Sequence, residues 1–172
     1  MDVLILRLVH IGVGAFWLGA VFTNVLFLQP TAMALGPDAA KFQFHLLKQR
    51  RFSMAILLSG ATTVTAGVLL LWITSNGFDP DLLFGPSRLG FTVGGVMAIL
   101  TFAFGSTYIY PRTERVGRIM GGIMAEGRPP TPEEGQQLGR IRGDLLRAGW
   151  ITVVGLGSAT AAMATARYWS VV

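Results

Sequence analysis

The histidine at position 10 lies within the first long apolar stretch of the chain, with Arg7 one helical turn before it and Gly14 one turn after it. An ionisable side chain inside a membrane span is costly enough to mark a functional site by default. Towards the other end of the chain Met163 and Arg167 stand four apart, and Arg88 opens a third apolar stretch. Imidazole and thioether groups are metal ligands, and guanidinium groups hold carboxylates through paired hydrogen bonds. An iron porphyrin standing edge-on in a helix bundle asks for these parts: an imidazole for the iron, a second ligand such as methionine, a small residue where the ring passes a helix, and cations for its propionates. His10, Met163, Gly14, Arg7, Arg88 and Arg167 are therefore candidates for a b-type heme site, with His10 as the metal ligand.

Such a site needs helices to carry it, and the composition supplies them. Apolar residues make up 52% of the chain and charged residues 13%, whereas a soluble domain carries roughly a quarter charged residues. Four windows reach the length of about 20 apolar residues that crosses a hydrocarbon layer, namely 3–28, 53–74, 89–109 and 148–169. The fold class expected is an all-α integral membrane protein, a single domain of four transmembrane helices. The first window is preceded by no basic segment and followed by no small-residue cleavage pattern, so it reads as a retained helix. With no cysteine, the chain has no disulfide and no thiolate metal site.

Charge sets the topology. The first connection carries Lys41, Lys48, Arg50 and Arg51, and the third carries Arg112, Arg115, Arg118, Arg128, Arg140, Arg142 and Arg147; the second holds Asp79 and Asp81. Basic residues in short loops mark the cytoplasmic side, which puts both termini outside. Trp72 and Trp169 then fall at the outer interface, and Tyr108, Tyr110 and Trp150 at the inner one, as aromatic belts require. The net charge of +5 is thereby explained by membrane anchoring, and nucleic acid is not a partner.

Residues 38–51 follow Gly36-Pro37-Asp38 and mix Phe42, Leu46 and Leu47 with basic side chains, the pattern of a short helix lying in the interface; His45 belongs to it. Thr131-Pro132-Glu133-Glu134 is a capping box with proline at the first helical position. The fourth helix should begin there and run to Trp169, roughly 38 residues or about 57 Å. The third should continue past Pro111, kinked by it, to Glu126. Long third and fourth helices would then protrude into the cytoplasm as a hairpin broken at 127–130. Ala15 with Gly19, Gly90 with Gly94, and Gly155 with Ala159 are small pairs four apart, suited to close helix contact in lipid.

His10 and Met163 lie at similar depth, roughly 10 Å in from the outer end, with Arg7, Arg88 and Arg167 one turn further out. Simpler roles exist for each: His10 as a hydrogen-bond partner of a neighbouring helix, Met163 as packing, the arginines as cations snorkelling to headgroups. The seven methionines form no cluster suited to copper. Asn24, Thr62, Thr63 and Thr65 are candidates either for lining a path or for interhelical hydrogen bonds.

The motif His10-x6-Trp17-Leu18-Gly19 resembles the start of the CopD-type copper-resistance membrane proteins and of the bacterial membrane protoporphyrinogen oxidases. Lys48-x-Arg50-Arg51-Phe52, leading into Gly60 to Gly67 and Leu71, is similar to the second span of the oxidases. The resemblance implies a bacterial plasma-membrane protein in which His10 matches the functional first-span histidine. Arg88 falls near the position of a functional third-span lysine, and a guanidinium, which stays protonated, can hold a propionate but cannot act as a base. Three functions follow as expectations: a b-type heme protein in electron transfer or porphyrinogen oxidation, a CopD-like copper or solute permease, and a structural subunit of a homo-oligomer or larger membrane complex. The lipid bilayer is the common partner.

Overall fold

The computed structural model describes residues 2–86 and 88–171, which form four long helices: α1 (Val3–Leu35), α2 (Phe52–Thr74), α3 (Leu89–Glu126) and α4 (Pro132–Trp169). Each is long and apolar enough to cross a membrane, and the chain is a membrane-spanning protein. No strand occurs among the described residues. Both termini, the 75–88 connection and His10 lie at one end, here the terminal end; the other two connections form the hairpin end.

Local chemistry starts α1 and α4 and stops α3 where the sequence predicts, while α1 runs on to Leu35, past the expected end of its window at 28. Asp2 caps α1 by accepting from the Leu4 N–H at 2.9 Å. At α4 the capping box is complete: the Glu134 N–H donates to Thr131 Oγ1 at 3.2 Å and the Thr131 N–H to Glu134 Oε2 at 2.9 Å. Arg128 adds two further bonds to the Glu134 carboxylate. Its guanidinium, with the Thr131 N–H, holds the Glu134 carboxyl down at about 2. Gly127 ends α3 at φ +62°, a left-handed conformation that a Cβ would strain.

The bundle is built from two close pairs, α1 on α2 and α3 on α4. Lipid offers no hydrophobic gain for helix contact, so the pairs depend on small residues that let side chains or backbone approach. On α2, a Cβ at Gly60 would fall 2.9 Å from the Trp17 ring and 2.8 Å from Phe102. On α3, a Cβ at Gly90 would meet the Ala166 backbone at 2.7 Å, and one at Gly94 the Ala159 carbonyl at 2.8 Å. Gly155 abuts Thr101. Two of the three expected small pairs thus close the α3/α4 contact. The third does not: Ala15 and Gly19 face outward, and a Cβ at Gly19 would meet nothing within 4 Å. The α1/α2 contact uses Gly60 and Gly67 instead.

Trp17, Val21, Val25, Val153 and Leu156 form the main core, with Phe102 edge-on to Trp17 at 6.1 Å. A second core of Val116, Met120, Leu138 and Leu145 sits where α3 and α4 continue beyond their apolar windows. The 36–51 connection, expected to lie in the interface, docks one face on this second core through Ala40 and Leu47. Lys48 Nζ donates to Glu114 Oε2 at 2.8 Å, and Ser53 Oγ to Glu114 Oε1 at 2.9 Å. The Lys48 ammonium holds the Glu114 carboxyl below its ordinary range.

Pro111 leaves α3 continuous, and the backbone responds with a π-turn at Gly105–Ile109. Pro30 in α1 is matched by a π-turn at Asn24–Leu28. A proline ring clashes with the carbonyl four residues earlier and donates nothing to it. Those carbonyls belong to Leu26 and Thr107, inside the two π-turns, where the wider helical loop relieves the clash.

Candidate functional site

His10 is seated on α2. Its Nδ1 lies 2.9 Å from the Thr63 carbonyl oxygen, and a carbonyl can only accept, so Nδ1 carries a proton and Nε2 is the nitrogen that holds the lone pair in the neutral ring. The ring rests where Gly67 has no side chain: a Cβ there would fall 2.8 Å from Cε1, 3.1 Å from Nδ1 and 3.8 Å from Nε2. The edge bearing Nδ1 is thus pressed to α2, with Nε2 further off, and His10 is half-buried. Gly67 and the Thr63 carbonyl were not among the candidates read from sequence. The signal available was a run of small residues on the second span at the depth of His10.

The remaining candidates do not gather round that ring. Gly14 opposes Thr63, whose Cγ2 would lie 3.2 Å from a Cβ on it, so it serves the α1/α2 contact. Met163 covers Gly94, its Cγ 2.7 Å from where a Cβ would be, within the α3/α4 pair. Arg88 donates from Nη1 to the Thr74 carbonyl and so closes the end of α2. Arg167 is exposed, its guanidinium 4.7 Å from the Tyr168 ring centroid. Arg7 is exposed and makes no polar contact among the described residues; being three residues before His10, it shares the same helix face.

A heme therefore fits this arrangement in part. His10, with its proton fixed on Nδ1, and the unengaged Arg7 suit an iron ligand and a propionate partner. Met163 and Arg88 are drawn into helix contacts elsewhere, and Gly14, one turn along the face that carries His10, is closed against Thr63. Thr63 bonds its hydroxyl to the Ser59 carbonyl of its own helix at 2.8 Å, and Thr62 and Thr65 are exposed, so these threonines do not line a path between helices. No cluster of three histidine, aspartate or glutamate side chains suited to a metal ion occurs among the described residues, and His45 turns to Gln49 at 2.5 Å at the opposite end.

A cavity lies elsewhere in the bundle. It has a volume of about 160 Å³, opens in the hairpin-end half of the bundle, and is lined by all four helices. None of the six candidates lines it. Asn24 does, together with residues of both π-turns and Arg142. Sequence reasoning treated Arg142 as one more basic anchor, because nothing local distinguishes it from Arg140 or Arg147. Compared with protein-family models, curated proteins and solved structures, the chain matches none of them.

Proposed function

We propose that this is an integral membrane b-type heme protein of the plasma membrane, working in electron transfer or porphyrinogen oxidation, in which His10 Nε2 is the iron ligand that the chain supplies. The observation that carries the proposal is the bond from His10 Nδ1–H to the Thr63 carbonyl. A ligating histidine needs this second bond, which fixes the tautomer, holds the ring and makes the free nitrogen a better donor. Inside a span such a bond also satisfies a polar group that lipid cannot. Arg7, on the same face and unengaged, is the propionate partner.

Bound heme supplies one-electron chemistry; the protein residues orient the ligand, hold the carboxylates and keep water away. Met163 and Arg88, engaged in other helix contacts, are left out of the site. The basic connections favour a hairpin end in the cytoplasm, with the termini and His10 outside. The continuations of α3 and α4 then form the cytoplasmic hairpin, its base wrapped by residues 36–51.

The test is an absorption spectrum of detergent-purified protein expressed with a heme precursor, before and after dithionite. A Soret band that His10→Ala removes, and that Met163→Leu leaves in place, is the expected result. A featureless spectrum rejects the proposal. It would turn attention to the CopD-like permease reading, which draws on the polar groups Asn24 and Arg142 in the cavity and predicts solute uptake without a chromophore.

A further inference from the structure

The cavity in the hairpin-end half poses an unsolved charge problem. Arg142 lines it, and only one of its three nitrogens has a partner: Nη2 donates to Gln43 Oε1 at 2.5 Å and lies 3.7 Å from the Met120 sulfur. Its Nε is buried with no hydrogen-bond partner. Arg142 is itself half-buried, and a buried N–H left without an acceptor is destabilising as a rule. Among the described residues no aspartate or glutamate lines the cavity, and the neighbouring Glu114 is engaged by Lys48 and Ser53. The Arg142 Nε–H is therefore free to take an anion.

The shape of the lining says which kind. Arg142 and Tyr110 stand just outside the apolar windows, at headgroup depth, while Val25, Phe102 and Leu156 line the part within the apolar layer. The charged residue of the described lining, Arg142, thus stands on the headgroup side and the lining within the apolar layer is uncharged, the order found along a phospholipid. A dry cavity of about 150 Å³ holds one benzene-sized group, so about 160 Å³ takes a headgroup's edge and the first methylenes. The two π-turns border this space on α1 and α3, and π-turns are frequent at binding sites. We infer that the cavity is a binding site for one acidic phospholipid of the hairpin-end leaflet, its phosphate held by the Arg142 guanidinium. The inference stands apart from His10 and heme.

Native mass spectrometry in detergent, with phosphatidylglycerol or phosphatidylcholine added, tests it. The wild-type protein should retain one phosphatidylglycerol at least about tenfold more tightly than phosphatidylcholine. Arg142→Gln should bring the two within about twofold. Gly105→Leu should weaken both lipids with the arginine intact, because Gly105 lines the cavity and a Cβ there meets open space. Should Arg142→Gln fail to fold, Gly105→Leu decides alone. Equal binding of the two lipids, retention of the preference in Arg142→Gln, or unchanged binding in Gly105→Leu overturns the inference. So does displacement of phosphatidylglycerol by millimolar inorganic phosphate, which would make the ligand a free anion.

Discussion

Replacing Gly67 by alanine should unseat His10. The new Cβ would stand 2.8 Å from Cε1 and 3.1 Å from Nδ1, whereas carbon atoms in contact settle at about 3.5–4.0 Å. The ring must therefore retreat by roughly 0.7 Å. Moved directly away from α2, Nδ1 would go from 2.9 Å to about 3.6 Å from the Thr63 oxygen, beyond hydrogen-bond reach. Losing that bond costs about 0.5–1.5 kcal/mol, and the crowding itself about 1–3 kcal/mol. The imidazole would also lose what selects its tautomer. With two histidines in the chain, ¹⁵N NMR of histidine-labelled protein in detergent resolves the point once His45→Gln removes the second set of signals. Wild-type His10 should show a protonated Nδ1 and an unprotonated Nε2; Gly67→Ala should mix the two forms and lower the unfolding temperature. Gly12→Ala, where a Cβ meets nothing within 4 Å, is the control. An unchanged His10 spectrum and unfolding temperature in Gly67→Ala would refute the seat, and with it the physical basis for His10 as a ligand.

Gly90→Ala sets a side chain against the Ala166 backbone at 2.7 Å and the Ala162 carbonyl at 2.9 Å; neither can swing aside, so thermal unfolding in detergent should show a loss of about 1–3 kcal/mol, while Gly95→Ala, in open space, is neutral. Thr131→Ala removes one half of the capping box and should cost about 0.5–2 kcal/mol, read as faster amide exchange at Glu134. The same turn should respond to acid: with the Glu134 carboxyl held at about 2 by Arg128, its contribution is complete above the ordinary carboxylate range near 4.5 and drains away as pH falls through about 2. Exchange at residues 131–134, corrected for intrinsic rates, should therefore show the same protection at pH 7 and 5 and lose it between pH 4 and 2.

What could be read from the chain was whatever depends on nearest neighbours. Helix length follows from apolar runs, and the predicted windows 53–74 and 89–109 begin within a residue of α2 and α3. The start of α4 was legible because Thr131, Pro132 and Glu134 specify a cap within four positions. Pairing was not legible in the same way. Gly19 and Gly94 have the same type and similar surroundings in sequence, yet one faces outward and the other admits Met163; the difference lies in which helix arrives opposite. The candidate site failed to assemble for the same reason. Equal depth for His10 and Met163 followed from counting residues, but depth fixes only one cylindrical coordinate, and rotation about the helix axis turned the first towards Gly67 and the second towards Gly94.

The prolines show how a local rule becomes a global feature. Pro30 and Pro111 each lie two residues past a π-turn, and sequence alone forecast only a kink at the second. A π-turn admits one extra residue into the helix, and α1 and α3 stay continuous through it while their side chains shift round the axis at that point. In α1 the shift accompanies a Val25 that is 2% exposed and lies over Gly149, whose Cβ would fall 2.8 Å from Cγ2; in α3 it puts Gly105, Ser106 and Ile109 on the cavity wall. The bundle is dense where Gly60, Gly90 and Gly94 draw helices together and open where the two proline-linked turns face the same space. An unpaired guanidinium at the rim of that space is costly in an empty protein and favourable in one that holds an anion. The terminal-end half of the bundle thus offers a fixed imidazole, the hairpin-end half a charged hollow, and the two are separated by the Trp17–Phe102 contact, so each can be tested without disturbing the other.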